Sequence, residues 1–201
     1  MDVETILLKK KIRGEVKELL LRMTPEARRE QSLAVCNKLK GSSLWKNSER
    51  VLAYAPMNCE VNIWNLVIKG IGSGKIIALP FYVKECDIYE ARIVRDLNKD
   101  IVKGKLGIRE PDEKCEKIGF DEFDLILVPG VAFSRNGYRL GRGKGYYDRM
   151  LAEVKGIKCG ICFECQFGWE VPVEPHDVKL DCIITPSLWW WSWEASGEEN
   201  E

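Results

Sequence analysis

From Arg139 to Asp148 the chain reads RLGRGKGYYD, its densest concentration of groups able to grip a phosphate. Gly141, Gly143 and Gly145 alternate with Arg142 and Lys144, and Arg139 stands just ahead of them. Glycine removes the side chain that keeps a ligand off the backbone and admits positive φ. Backbone amides exposed just before a helix form an anion site, helped by the partial positive charge of the helix end. Arg grips phosphate oxygens in pairs, whereas Lys acts as a point charge. Asp148 falls in the first turn of the helix predicted over Tyr146 to Val154, where a carboxylate is able to hold a cation against a bound phosphate. Together these groups describe a site for a metal–nucleotide. The loop is not a Walker A sequence, because GxxxxGK[ST] is absent. It is not a dinucleotide fingerprint either, since the GxGxxG spacing is missing and the loop lies in the second half of the chain. A glycine-rich loop without such cations would read as an ordinary turn.

The elements that must position this loop follow from periodicity. Leu125 to Pro129 is an apolar run ending at Gly130, which reads as a buried strand. Upstream, Thr5 to Met23 reads as a basic amphipathic helix with apolar Ile6, Ile12, Val16, Leu19 and Leu20, and Thr24-Pro25 as the cap of a second helix reaching about Lys40. Strands are predicted over Arg50–Pro56, Lys75–Pro80, Asp87–Val94, Lys158–Phe163 and Asp181–Thr185, with a short helix over Asn62–Lys69 and a turn over Gly70–Gly74. Arg95 to Lys117 reads as irregular. Strands alternating with helices predict an α/β fold, a sandwich built on a mostly parallel sheet. No internal repeat or linker interrupts it, and 1–188 is taken as one domain, followed by a Trp-rich, then acidic, tail over 189–201.

Composition sets outer limits. A length of 201 residues with 45% hydrophobic content suits one globular domain with a sizeable core. Lys plus Arg equals Asp plus Glu at 31 each, so no net field favours nucleic acid or an anionic membrane. No apolar run approaches the roughly 18 residues of a membrane span. The opening MDVETILLKKK is too short and charged for a secretory signal, so a cytoplasmic protein is expected, with free thiols at its eight cysteines. Cys159, Cys162 and Cys165 form CxxCxxC, a metal-like spacing, but on a strand that spacing sends neighbours to opposite faces. Buried thiols are the favoured reading. The tail carries Trp189, Trp190, Trp191 and Trp193, an aromatic load expected to dock on the body or a partner, and disorder is expected from Gly197 to Glu201.

LILVPGVAFSRNGYRLGRGKGYYDRML, from Leu125 to Leu151, resembles the signature of the 5-formyltetrahydrofolate cyclo-ligase family, also called 5,10-methenyltetrahydrofolate synthetases. The likeness runs from KKKIR at Lys9–Arg13 to VPVEPHDVKLDCIITP, ending at Pro186. It implies a three-layer α/β/α fold. It also implies an enzyme that uses ATP and Mg²⁺ to close 5-formyltetrahydrofolate into 5,10-methenyltetrahydrofolate.

The resemblance also assigns residues. Lys9 and Arg13, four apart on one helix face and otherwise read as solvated, match a Lys and an Arg of the family's ATP site. With them go Arg139, Leu140, Gly141, Arg142, Gly143, Lys144, Gly145, Tyr146 and Tyr147 as the nucleotide site, Arg142 and Lys144 carrying the catalytic charge. Asp177 joins Asp148 as a metal ligand, Glu174 is a weaker substitute, and the role of His176 stays open. Glu60, Met57, Tyr82 and Tyr147 match the folate pocket. Ala55 falls where the family uses a larger aliphatic contact, and Leu106 where some members carry a tryptophan. Three other readings stand beside this one: a different ATP-dependent ligase or kinase, a non-catalytic nucleotide or folate sensor, and a nucleic-acid binder. Zero net charge and the lack of a basic–aromatic stripe count against the last. A monomer acting on a small molecule, without nucleic acid or membrane, is the expected state.

Overall fold

A computed structural model describes residues 3–104 and 107–192. Leu106, Trp193 and the segment from Gly197 to Glu201 lie outside the described residues. In chain order the elements are α1 (Val3–Arg22), α2 (Pro25–Gly41), α3 (Ser43–Asn47), β1 (Arg50–Leu52), α4 (Trp64–Gly72), β2 (Ile76–Val83), β3 (Ile88–Val94), α5 (Leu97–Asp100), β4 (Ile101–Lys103), β5 (Arg109–Pro111), β6 (Lys117–Ile118), β7 (Leu125–Val128), β8 (Ala132–Phe133), β9 (Arg139–Leu140), α6 (Tyr146–Glu153), β10 (Ile157–Ile161), β11 (Cys182–Ile184) and β12 (Trp189–Trp191).

Eight strands form one sheet in the order β12-β11-β10-β7-β1-β2-β3-β6. The inner five, β11 to β2, run parallel; β12, β3 and β6 pair antiparallel at the margins. The expected mostly parallel α/β sheet is therefore present. Strand β7 explains why the sheet is layered on both sides. Leu125 and Leu127 point into a core shared with Val16 and Leu20 of α1, Leu39 of α2 and Leu66 of α4. Ile126 and Val128 point into a second core with Met150 and Leu151 of α6 and with Val154. A strand covered on both faces needs an unbroken apolar run, which is what Leu125–Val128 supplies. Two carboxylates set the parallel pairing. Asp124 Oδ2 accepts from the amides of Glu49 and Arg50 (both 2.8 Å), joining the start of β7 to that of β1. Asp181 Oδ2 does the same for the Lys158 amide (2.7 Å) where β11 meets β10.

The helices follow local rules with one correction. Thr24 caps α2 by accepting from the Ala27 amide at 3.1 Å, with Pro25 in the first turn. On α1 the buried stripe is Lys9, Ile12, Val16 and Leu20; Ile6 and Leu19 are exposed. The reading of Lys9 as part of a solvated face fails because it occupies the first position of that stripe.

Elsewhere boundaries shift. The strand predicted to Pro56 ends at Leu52, β2 continues past Pro80 to Val83, and α4 runs through Gly70 to Gly72. Pro80 costs no ladder bond in β2, because β1 pairs only as far as Ala78 and leaves that stretch with β3 alone. The segment predicted as irregular, Arg95 to Lys117, holds α5, the β4–β5 hairpin and the start of β6. Trp189, Trp190 and Trp191 dock on the body as expected, and do so as the edge strand β12, paired with β11, where the sequence predicts a tail. Trp189 and Trp191 stack at 5.5 Å on one face, and Trp190 packs toward the other core.

The cysteines fall as the strand geometry demands. Cys159 is buried in one core and Cys162 in the other, so these thiols cannot converge on one ion. Burial drives both well above the ordinary thiol range. All eight cysteines are free. No described helix is long and apolar enough to cross a membrane.

Candidate active site

A cleft of about 860 Å³ opens where the parallel strands end. The chain leaving β1 contributes Tyr54, Ala55, Met57 and Glu60, β2 contributes Pro80, and the exit of β7 contributes Pro129 and Gly130. The carboxyl ends of parallel strands are the usual place for a ligand in an open α/β sheet. The loop Gly141–Gly145 closes one side, α1 another, and the segment Glu174–Asp177 a third.

The glycine loop is shaped by two left-handed residues. Gly143 has φ +97° and Gly145 has φ +67°, a region that favours glycine. Gly145 is also the N-cap of α6, so the chain turns directly from the loop into the helix. Gly141 does not use the left-handed region; its role is closeness, since a Cβ there would sit 2.9 Å from Arg139 Nη1.

Most cations of the cleft are already tied to oxygen. Arg139, only 5% exposed, donates from Nη2 to Asp148 Oδ1 at 2.8 Å, and its guanidinium lies 5.3 Å over the Tyr147 ring. Burial lowers its pKa, while Asp148, Tyr147 and Asp177 act the other way. Lys9 Nζ lies 2.6 Å from Glu174 Oε2 and 3.4 Å from Asp177 Oδ2, and Asp177 Oδ2 also accepts the Glu174 amide at 2.8 Å. Arg13 Nε donates to the Gly141 carbonyl at 2.9 Å and so supports the loop from beneath. Burial pulls its pKa down. Arg142 Nη2 reaches Cys59 Sγ at 2.9 Å and Glu60 Oε1 at 3.2 Å. Burial works to lower its pKa, but the Cys59 contact and Glu60 prevail and the net direction is up. Lys144 is exposed, makes no ion pair among the described residues, and lies 5.8 Å over the Tyr146 ring.

The other wall is less charged. Glu60 Oε2 accepts the Met57 amide at 2.9 Å, which fixes the carboxylate in place. Tyr147 and Tyr54 are both pushed above the ordinary phenol range, chiefly by burial and then by the Glu60 charge. The Tyr54 hydroxyl donates to the Val61 carbonyl at 2.8 Å.

The cleft thus gathers Lys9, Arg13, Ala55, Met57, Glu60, the run Arg139–Asp148 and Asp177. Tyr82 alone of the anticipated residues does not line it. Its hydroxyl is bonded to Asp87 Oδ1 at 2.8 Å, and its ring stands behind Tyr89 and Tyr146. Tyr89 takes the wall position instead, and the sequence reading missed it together with Ile6, Tyr54, Pro80, Ile108, Arg109 and Glu110. Tyr54 had one local signal, its place directly after a strand; the β5 residues had none, because the hairpin that carries them read as irregular.

A divalent cation fits the donor set. Oδ2 of Asp148 and Oδ1 of Asp177 accept no hydrogen bond among the described residues, and carboxylate oxygens are the ligands a hard cation takes alongside phosphate. Both carboxylates line the cleft, and the charge of each acts to raise the Arg139 pKa. No three His, Cys, Asp or Glu side chains form a ready-made metal cluster among the described residues, so part of the shell would come from a bound ligand.

Known proteins match this arrangement along nearly the whole chain. The model of the 5-formyltetrahydrofolate cyclo-ligase family matches residues 6–186. The 5-formyltetrahydrofolate cyclo-ligase of Mus musculus is 32% identical over 190 residues, covering 88% of this chain and 92% of the relative. The Escherichia coli K12 enzyme of the same name is 27% identical over 178 residues, covering 84% and 96%. The NMR structure of Aquifex aeolicus 5,10-methenyltetrahydrofolate synthetase superposes with a TM-score of 0.85 at 32% identity, covering 96% of each chain. The loop, the cations around it and Glu60 lie inside the matched region, and the chain belongs to the 5-formyltetrahydrofolate cyclo-ligase family.

Proposed function

We propose that this protein is an ATP-dependent ligase that closes 5-formyltetrahydrofolate to 5,10-methenyltetrahydrofolate, releasing ADP and phosphate. One observation carries the reading: the cationic glycine loop and the Glu60 pocket face the same cleft, joined by the Arg142–Glu60 pair at 3.2 Å. A triphosphate on the loop and a pterin on Glu60 would then be neighbours. A carboxylate suits the pterin, whose amino and ring nitrogens donate in pairs.

The chemistry explains the residue types. A formamide is a poor electrophile because its nitrogen lone pair is delocalised, and its oxygen is a poor leaving group. The formyl oxygen attacks the γ-phosphorus, and the bond to the bridging oxygen breaks to release ADP. The neighbouring secondary amine of the folate attacks the activated carbon. The carbon–oxygen bond then breaks, phosphate departs with the former formyl oxygen, and the amine proton is lost. Every nucleophile is a substrate atom, so the protein positions groups and stabilises charge. Arg142 and Lys144 are assigned to the transferring phosphoryl group. Lys9, Arg13, Arg139 and the amides of Gly141 to Gly145 are assigned to the rest of the nucleotide, flanked by Leu140, Tyr146 and Tyr147. Met57 and Tyr147, with Ala55, are assigned to the folate side. Asp148 and Asp177 are assigned to Mg²⁺, which when bound neutralises phosphate charge. Tyr82 is assigned to the same pocket through Tyr89, not by direct contact.

A monomeric, cytoplasmic enzyme acting on a small molecule, without nucleic acid or membrane, completes the reading; the balance of 31 acidic and 31 basic residues supports the absence of those last two partners. The test mixes protein, MgATP and 5-formyltetrahydrofolate and follows the near-ultraviolet absorbance of the methenyl product. Product formation strictly dependent on ATP is expected. ATP hydrolysis without that absorbance would assign the chain a different acceptor.

A further inference from the structure

The β2–β3 hairpin extends beyond the rest of the sheet. Beyond Ala78, β2 pairs with β3 alone, and the turn at the tip ends at Asp87. Asp87 is the single non-glycine residue with positive φ among the described residues, at +53°. Aspartate is among the residues that turns admit in this region. Asp87 is fastened to α6. Asp87 Oδ1 accepts from the Tyr146 hydroxyl at 2.6 Å and from the Tyr82 hydroxyl at 2.8 Å. Arg149 Nη2 donates to the Asp87 carbonyl at 3.1 Å and lies 3.8 Å from Oδ2. Tyr146 is the first residue of α6 and directly follows Gly145, so the clamp grips the point where the phosphate loop becomes helix. The rings of Tyr82, Tyr89 and Tyr146 pack edge to face with centroids 5.3–5.7 Å apart.

We infer that Asp87 is a positioning residue that sets the distance between the two substrates. This rests on the functional reading above and extends it. The hairpin carries Pro80 and Tyr89 on the cleft wall, while the loop carries Arg142 and Lys144. Asp87 fastens one to the other. The fastening lies on the surface, with the side chains of Asp87 and Arg149 exposed by 63% and 52%, so it adds little to global stability. Its effect falls on geometry, and phosphoryl transfer between two bound groups is sensitive to displacements of about 1 Å. Tyr82 belongs to this clamp, which explains its place behind the cleft wall.

The test compares Asp87→Ala with Asp87→Asn, which keeps an Oδ1 acceptor for both hydroxyls. For Asp87→Ala, kcat is expected to fall roughly tenfold to a hundredfold, with KM for each substrate within about threefold. The melting temperature should stay within about 5 °C of the parent, the cost of an alanine at a left-handed position included. Asp87→Asn should recover at least about a third of kcat. A second readout needs no turnover: the amide NMR signals of Gly143 and Gly145 should move or broaden in Asp87→Ala and remain near parental positions in Asp87→Asn. Unchanged kcat and unchanged glycine amides in Asp87→Ala would overturn the inference, as would a loss of kcat matched by a large drop in melting temperature. An inactive parent protein would instead sink the functional reading, and the amide shifts would still decide the role of Asp87.

Discussion

The two walls of the cleft, named for the ligands proposed for them, phosphate and folate, are built on different physics. On the phosphate wall the buried cations are paired before any ligand arrives: Arg139 with Asp148 at 2.8 Å, Lys9 with Glu174 at 2.6 Å. On the folate wall neutral rings dominate, and the carboxylate of Glu60 is held by a backbone amide and the half-exposed Arg142. A buried charge left without a partner is costly, so the phosphate wall ties ligand binding to folding stability. The folate wall carries one such charge, Glu60, whose side chain is 11% exposed and paired with Arg142. Lys144 departs from both patterns. It is exposed and unpaired among the described residues, so its charge is available to a ligand and contributes little to the fold.

Substitutions sharpen this contrast. Arg139→Ala should have the largest effect on stability, about 3–5 kcal/mol, because Asp148 loses its partner in a largely buried site; chemical denaturation measures it, and a loss below about 1 kcal/mol would refute the pre-paired wall. Lys144→Ala should raise the reaction barrier by about 2–4 kcal/mol while leaving the melting temperature nearly unchanged. Near-normal turnover would remove Lys144 from the chemistry.

A neutral buried group gives a reference for the paired ones. Burial pushes the Cys36 thiol from 9.0 up to about 11, with Lys69 opposing. The folded chain then keeps a proton that the unfolded chain releases. Stability tied to this group is fully present below pH 9 and is lost as pH rises toward 11, by about 2–3 kcal/mol. Cys36→Ala should flatten that part of the pH–stability curve.

On the folate wall, Glu60→Gln should weaken 5-formyltetrahydrofolate binding by about 1–3 kcal/mol, read as a rise in Kd, without weakening a non-hydrolysable ATP analogue. Weakened nucleotide binding would show that the walls are not separable. The smallest effect should come from Arg95→Ala. Its partner Glu116 lies 2.5 Å away, but both side chains are more than half exposed, and such a pair is worth at most about 1 kcal/mol by denaturation.

The same contrast explains what a reader of the sequence could and could not see. The phosphate wall is largely one run, Arg139 to Asp148, whose glycine spacing and charges describe their own geometry. Even there Lys9 misled on its residues alone, since a lysine on a basic helix looks solvated until its buried partners Glu174 and Asp177 appear from the far end of the chain. The folate wall is assembled from β1, β2, β3 and β5, and no local pattern joins Tyr89 to Glu110 or Pro80. Tyr82 and Tyr89 face each other across the hairpin, and sequence alone did not tell which ring reaches the cleft. The sheet was legible where strands are buried on both faces, as at Leu125–Val128, and least legible at its edges. Strand β12 is three tryptophans that look like a tail until paired with β11.

In the proposed function one cleft holds a triphosphate on the glycine loop and a folate on Glu60 with their reacting ends together. A crystal structure with a non-hydrolysable ATP analogue and 5-formyltetrahydrofolate tests it most directly. The terminal phosphate is expected against Lys144 and the amides of Gly143 to Gly145, with the formyl oxygen facing it and the pterin on Glu60. A triphosphate seated outside this loop, or a folate bound away from Glu60, would contradict it.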